Sequence, residues 1–292
     1  MDVAPHSLDY LHADVFAPRP FAGNSLVVFP DAPHLSAPQM LAITQEFRHF
    51  EAIFLTATAD ARRCHARVFD MFEELPFAGH PIIGAAAALH HLSNNTADQL
   101  WTFDLAEKCV TVSTRQTANG YFGLLDQGAA TFLGEVDLRG EIAQAFNWSR
   151  HDLDPHLPLA VISTGLRYLI VPVRRDMLSR ARTAADITAL VQGVGAQFAV
   201  LLDEAALEVR HWNNDGVAED VATGSAAGTI GAYRLRYCGA KSGASFTLNQ
   251  GRFAGRPSQL IVQPHGTPDT VHSVKVGGDV AIVGHGSLVA LP

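Results

Sequence analysis

Runs of lysine or arginine are missing from this sequence. The longest basic clusters are Arg62-Arg63 and Arg174-Arg175, which read as solvated surface. Acidic side chains outnumber basic ones by 29 to 21, a formal net charge of −8. Nucleic acid is held by clustered cations, so this balance argues against it as the main partner. No apolar run approaches the roughly 18 residues of a membrane span, and no membrane partner is expected. Cysteine is scarce: Cys64, Cys109 and Cys238 stand far apart. Such an odd, sparse set fits a reducing cytoplasm better than a disulfide framework. The sequons at Asn94 and Asn147 then carry no meaning. The opening Met1-Asp2-Val3-Ala4-Pro5-His6 has no basic flank followed by an apolar stretch, so no signal peptide is read there.

Motifs for metals, nucleotides and hydrolysis are absent as well. There is no HExxH or CxxC for zinc. Gly193-Val194-Gly195 lacks the third glycine of a dinucleotide fingerprint, and Ala240-Lys241-Ser242 lacks the glycine that precedes lysine in a phosphate loop. Thr223-Gly224-Ser225-Ala226-Ala227-Gly228 does not have the GxSxG order of a hydrolase elbow.

What is present is ample core material. Hydrophobic residues make up 48% of 292 positions, enough for one large domain or two ordinary ones. Asp9 to Phe16 and Leu26 to Phe29 read as strands, the first ended by Pro18 and Pro20. Ser36 suits a helix N-cap with Pro38 in the first turn, and Met40, Ile43 and Phe47 follow at helical spacing to a stop near Arg48. His49 to Leu55 reads as a strand, with Phe50, Ala52 and Phe54 on one face and Glu51, Ile53 and Leu55 on the other. Arg62 to Phe69 reads as the next strand, and an Ala-rich helix starts near His80. In the second half Leu159 to Pro172, Phe198 to Leu202 and Ala206 to Trp212 read as strands. Asp186 to Val194 reads as a helix, and a small-residue helix runs from near Ser225 to about Tyr237. Leu260 to Val262 and Val280 to Val283 read as closing strands. The polar, Gly-containing stretch from Asp126 to Gly134 is the expected domain boundary.

Two segments repeat at an offset of half the chain. Glu74-Leu75-Pro76-Phe77-Ala78-Gly79-His80 aligns without a gap on Glu219-Asp220-Val221-Ala222-Thr223-Gly224-Ser225. Each runs from an acid through a glycine and a polar residue into an Ala- and Gly-rich helix. Glycine lets a ligand or another backbone come close. The first helical N–H groups lack intrahelical partners and sit at the positive end of the dipole. Two such ends could bind carboxylate or enolate oxygens. The duller reading is that small residues only allow two core helices to pack tightly.

Glu51 is the one acid in an otherwise apolar strand. Burial there raises a carboxyl pKa and suits general acid/base work; an edge-strand glutamate facing water is the alternative. His80, between Gly79 and Pro81, is expected to stay neutral at a positive helix end and to hydrogen-bond or relay a proton; simple capping is the alternative. Asp220 and Ser225 flank another helix start, where ordinary capping is again the plain reading.

Four blocks then resemble the PhzF-like family of phenazine biosynthesis. They are Asp14-Val15-Phe16 with Phe21-Ala22-Gly23-Asn24, Glu74 to Ala86 around Gly79-His80-Pro81, Glu219 to Ala226, and Gln250-Gly251 with Gly255-Arg256-Pro257-Ser258. The second signature usually has proline where Val221 stands. The family carboxylate follows a pattern like Asn-Leu-Ser-Glu, where this chain has Arg48-His49-Phe50-Glu51.

The resemblance implies an α/β (α+β) protein of the diaminopimelate-epimerase type. Two pseudo-symmetric lobes are expected, each a curved sheet or barrel around a central helix, with the active site between them. Residues 1–126 would form the first lobe, joined by a returning strand at about 281–292, and residues 127–280 the second. By the same resemblance Glu51 is the proton-shuttling acid/base, and His80 and Asp220 assist. Asn24, Gly79, Thr223, Gly224 and Ser225 would bind the substrate. Epimerase relatives use paired cysteines where this chain has His80 and Ser225, which disfavours a two-thiol mechanism. The implied function is a cofactor-independent isomerase acting on a small carboxylate, like trans-2,3-dihydro-3-hydroxyanthranilate isomerase, with no metal and commonly as a homodimer. A racemase or epimerase for another amino or hydroxy acid, and a non-catalytic small-molecule binder, are the other readings of the same fold.

Overall fold

The computed structural model describes residues 7–17, 19–106 and 108–292. Pro18 and the N-terminal hexapeptide lie outside the described residues. The chain forms two compact units: residues up to Asp126 with Gly277–Pro292, and Gln127–Val276.

The first unit runs β1 (Leu8–Val15), β2 (Asn24–Phe29), α1 (Ala37–Phe47), β3 (Glu51–Ala57), β4 (Arg63–Asp70), β5 (Glu74–Leu75), α2 (Gly79–Leu92), β6 (Gln99–Asp104), β7 (Cys109–Thr117) and β8 (Gly120–Asp126). Ser36 caps α1 in a capping box with Gln39, and a proline occupies its first turn. The helix stops at Arg48, which takes a left-handed φ of 55° and donates its N–H to the Thr44 carbonyl. That conformation costs a non-glycine residue roughly 1–2 kcal/mol. The β3 side chains alternate as the period of 2 requires. Ala52 and Phe54 pack outward with Val27, Phe29, Met40, Ile43 and Phe69 under α1, and Ile53 and Leu55 are buried on the opposite face.

The second unit runs β9 (Thr131–Val136), α3 (Arg139–Ala145), β10 (Leu159–Ser163), β11 (Arg167–Pro172), α4 (Thr188–Gln192), β12 (Phe198–Asp203), β13 (Glu208–Trp212), β14 (Glu219–Asp220), α5 (Gly224–Tyr237), β15 (Phe246–Gln250) and β16 (Ser258–Gly266). The last strand, β17 (Val271–Leu288), starts in this unit and carries the chain back into the first.

In the first unit the strands close into a barrel, β17-β1-β2-β3-β4-β6-β7-β8 and back to β17. Helix α2 fills it and is buried along most of its length. The small residues of α2 are what let the wall approach. A Cβ added to Gly84 would stand 2.4 Å from Leu26 and 2.9 Å from Val15. Helix α5 is buried in the same way.

Both units share one chain plan. A parallel pair is bridged by an outer helix (β2-α1-β3; β11-α4-β12), a hairpin follows (β3-β4; β12-β13), and a second parallel pair is bridged by the buried helix (β4-α2-β6; β13-α5-β15). The architecture is thus mixed α/β, each unit a set of strands with one buried helix, as the family resemblance implied.

Several sequence expectations need correction. Leu159 to Pro172 is not one strand but the hairpin β10–β11, because Gly165 takes a φ of 144° at the turn. The helix expected over Asp186 to Val194 is only Thr188–Gln192, since Asp186 accepts the Thr188 N–H and holds a turn there. Strands β6 to β9 were not anticipated.

Candidate active site

Glu51 opens β3 on the Ile53 and Leu55 face, with its side chain 17% exposed. His80 is the second residue of α2 and its side chain is 6% exposed. Its Nδ1 lies 3.3 Å from Glu51 Oε2 and 3.5 Å from Asn24 Nδ2. One nitrogen therefore faces an acceptor and an amide donor. Protonated, Nδ1 donates toward the carboxylate; unprotonated, it accepts from Asn24. Asn24 is 2% exposed and opens β2. It is delivered by Gly23, whose φ of 66° and 2.3 Å approach of an added Cβ to the Val15 carbonyl leave room for glycine alone. Asn24, Glu51, Gly79 and His80 thus gather at one end of the first barrel.

The second unit gathers Asp220, Thr223, Gly224 and Ser225 at the start of α5. Asp220 Oδ2 accepts from the Thr223 hydroxyl at 2.6 Å, and Oδ1 accepts from the Ala222 N–H at 3.2 Å. Gln250 fastens this turn. Its amide oxygen accepts the Thr223 N–H at 2.9 Å, and its Nε2 donates to the Asp220 carbonyl at 2.8 Å and the Thr223 hydroxyl at 2.9 Å. Gly251 is glycine because an added Cβ would stand 2.3 Å from the Arg256 carbonyl and 2.5 Å from that of Val221. The Thr223 hydroxyl is thereby occupied within the turn, a structural task beside the substrate contact expected of it. Ser225 does not cap α5. Thr223 is the N-cap, and Ser225 Oγ lies 2.8 Å from the hydroxyl of the buried Tyr168. Gln127 donates to the Gly224 carbonyl at 2.8 Å and accepts from Thr164 at 2.8 Å.

His211 pairs with Asp220 across β13 and β14 and packs edge-on against Tyr168. Burial holds its pKa below the ordinary imidazole value, partly opposed by the Asp220 charge, and its Nδ1 is bonded to the Ala199 carbonyl. Gln250, Tyr168, Gln127 and His211 were not among the expected site residues. Gln250-Gly251 stood out as a motif without a role; the other three carry no local sequence signal.

The half-chain repeat has a structural meaning. Helices α2 and α5 are both 14 residues long, and each follows a two-residue strand that begins with the repeated glutamate. Arg67 clasps Glu74 at 2.7 and 2.6 Å. Arg210 clasps Glu219 at 2.7 and 2.7 Å, its guanidinium between Trp212 and Phe253. In both units a bidentate pair ties the segment entering the central helix to the strand before it. Cysteines stand elsewhere, Cys64 in β4, Cys109 at the start of β7 and Cys238 just past α5. Among the described residues no three His, Cys, Asp or Glu side chains converge as a metal site. Also among them, no helix is long and apolar enough to cross a membrane.

The phenazine biosynthesis-like (PhzC-PhzF) family matches residues 13–286. The chain belongs to this family. Trans-2,3-dihydro-3-hydroxyanthranilate isomerase of Pseudomonas chlororaphis is 29% identical over 96% of this chain and 99% of its own. A structure titled as a predicted epimerase from Pseudomonas aeruginosa is 46% identical, with a TM-score of 0.91 over 96% of this chain and 99% of that one. A hydroxyproline epimerase from Agrobacterium vitis, 13% identical, shares the fold alone, with a TM-score of 0.62 over 97% of this chain and 92% of its own. With such relatives along its whole length, this PhzF-type chain is an isomerase.

Proposed function

We propose that this chain isomerises a small unsaturated or amino-acid-like carboxylic acid of the trans-2,3-dihydro-3-hydroxyanthranilate kind by cofactor-independent proton transfer. The observation that carries the reading is Glu51 Oε2 at 3.3 Å from His80 Nδ1, both side chains largely removed from water. Glu51 takes a proton from an activated substrate carbon and returns it to another. His80 donates to the carboxylate while Glu51 is charged, and Asn24 supports the imidazole when it is neutral. Carboxylate and imidazole carry the proton themselves, so the reading calls for no metal, flavin or nicotinamide. For the first unit we propose that the Gly79 N–H binds substrate oxygen, and for the second that Asp220 assists proton relay and that Ser225 and the Gly224 N–H bind substrate oxygens. A cytoplasmic homodimer is the expected setting.

Glu51→Gln keeps size and hydrogen bonding and removes the base. The expected outcome is an unchanged circular-dichroism spectrum with turnover and solvent-deuterium incorporation lowered on the order of 10²- to 10⁴-fold. Full activity in that variant would remove Glu51 from the mechanism. The 46% identical structure described as a predicted epimerase favours a second reading, in which the proton returns to the same carbon. Deuterium at a stereocentre, with loss of optical rotation and no shift of a double bond, would select it.

A further inference from the structure

The hydroxyl of Ser225 is not held as helical hydroxyls usually are. Inside a helix a serine or threonine commonly hands its proton back to the carbonyl three or four residues earlier. Thr229 of α5 does so, donating to the Ala226 carbonyl at 2.8 Å. Ser225 is turned instead to the phenol of Tyr168, 2.8 Å away. Tyr168 stands on β11, 57 residues back in the chain, and both residues are buried.

The phenol is fixed by its neighbours. Its ring packs against Phe198, with centres 5.6 Å apart, and at a steep angle against His211 at 5.5 Å. His211 is itself fixed as a neutral ring. A carbonyl can only accept, so the Nδ1 that faces the Ala199 carbonyl at 2.8 Å carries the proton. Burial then disfavours a second proton on the ring. From another side Gln127 donates to the Gly224 carbonyl at 2.8 Å and steadies the backbone that bears Ser225. What remains is the direction of one hydrogen bond between two hydroxyls.

A serine hydroxyl has a single proton. It can give that proton to a substrate oxygen only if the bond to Tyr168 is donated from the tyrosine. Phenol is the stronger acid of the two hydroxyls and the alkyl hydroxyl the better acceptor, so the pair itself favours this direction. We propose that Tyr168 is a positioning residue whose phenol donates to Ser225 Oγ, turns the serine proton away from β11, and so makes Ser225 a dedicated donor to an anionic substrate oxygen. The inference rests on the reading in which Ser225 binds substrate oxygen. Charge growing on that oxygen draws on both bonds, because hydrogen bonds in a chain polarise one another.

Two measurements on the full-length protein test this. The first needs no substrate. The five tyrosines are labelled with carbon-13 at Cζ, and Tyr168→Phe identifies the resonance at 168 by its loss. Donating a hydrogen bond moves a phenol Cζ downfield and accepting one moves it upfield. Ser225→Ala should therefore shift the Tyr168 resonance upfield. A downfield shift, or none, overturns the proposal. The second is a double-mutant cycle on kcat/KM for trans-2,3-dihydro-3-hydroxyanthranilate. Tyr233→Phe is the control, since Tyr233 is fully buried on the same helix and donates to the Pro158 carbonyl at 2.7 Å. Tyr168→Phe should lower kcat/KM about tenfold, Ser225→Ala about thirtyfold, and the double variant no further than Ser225→Ala alone. Any loss in the control should multiply with that of Ser225→Ala, as a merely structural role would. Multiplying losses for Tyr168→Phe, or full turnover in that variant, overturn the proposal. A parent that does not turn this acid over removes the substrate reading alone, and the Cζ shift then decides on Tyr168 by itself.

Discussion

At the scale of single residues, Gln250 shows how much of a site consists of groups that need not touch a substrate. It is 2% exposed, and its amide spends both ends on the Asp220–Thr223 turn. Gln250→Ala strands the Thr223 N–H and the Asp220 carbonyl without replacing either partner. Each buried group left unsatisfied costs about 1–3 kcal/mol. We expect urea unfolding to register a loss of that size and turnover to fall with it as Asp220 is released. Gln250→Glu keeps the shape but gives up the donor end and sets a charge beside Asp220. It should therefore fail to restore activity at neutral pH. Parent-like turnover in both variants would mean the turn holds itself. Glu51 was legible in the sequence because one acid interrupts an apolar strand with a period of 2. Gln250 was visible only as part of a motif, since its partner Thr223 lies 27 residues away and no local pattern encodes that pairing.

Among elements, the two central helices were the most legible feature, because glycine and alanine so dense in a helix imply that something else comes close. What comes close was not legible. On α5 a Cβ at Gly228 would fall 1.9 Å from Gln127 Oε1 and 2.8 Å from Thr164 Oγ1, the very pair that leads to the Gly224 carbonyl. Gly228→Ala therefore sets helix propensity against packing. Alanine favours the helix by about 1 kcal/mol, while overpacking a filled core costs about 1–3 kcal/mol. Here the clash is with an anchored polar side chain, so packing should win. The variant should melt at a lower temperature and lose activity as Gln127 leaves Gly224. A melting temperature at or above the parent's would mean that Gln127 swings aside freely. Strands β6 to β8 escaped the sequence reading for a related reason. In β7 the exposed positions are Cys109, Thr111, Ser113, Arg115 and Gln116, so that strand looks like a polar loop until its barrel partners β6 and β8 are known.

At the scale of the whole chain, the first barrel is closed by its own two ends. Leu8 pairs with Leu288 and Val15 with Val280, and β17 also pairs with β8. Leu288 and Leu291 pack against the outer core under α1. The family resemblance implied a returning strand at about 281–292, but no local window shows its partners, because the signal is a pairing across nearly the full length. Closing a loop that long is entropically unfavourable until the pairing forms, so the first unit cannot complete its barrel before the end of the chain is available. The second unit is different. Its outer core, from Ile142 to Leu201 with Trp212 and Phe253, draws only on Gln127–Val276. Removal of Gly277–Pro292 should therefore act unevenly. It leaves β1 and β8 as open edges, which invite pairing with other chains, and takes apolar cover from α1. In hydrogen exchange followed by mass spectrometry, residues 8–126 of the truncated chain should exchange rapidly and the protein should aggregate. Peptides from Leu159–Pro172 and Phe198–Trp212 should keep most of their protection. Parent-level protection in β1 to β4 after that deletion would show that the barrel stands without its returning strand.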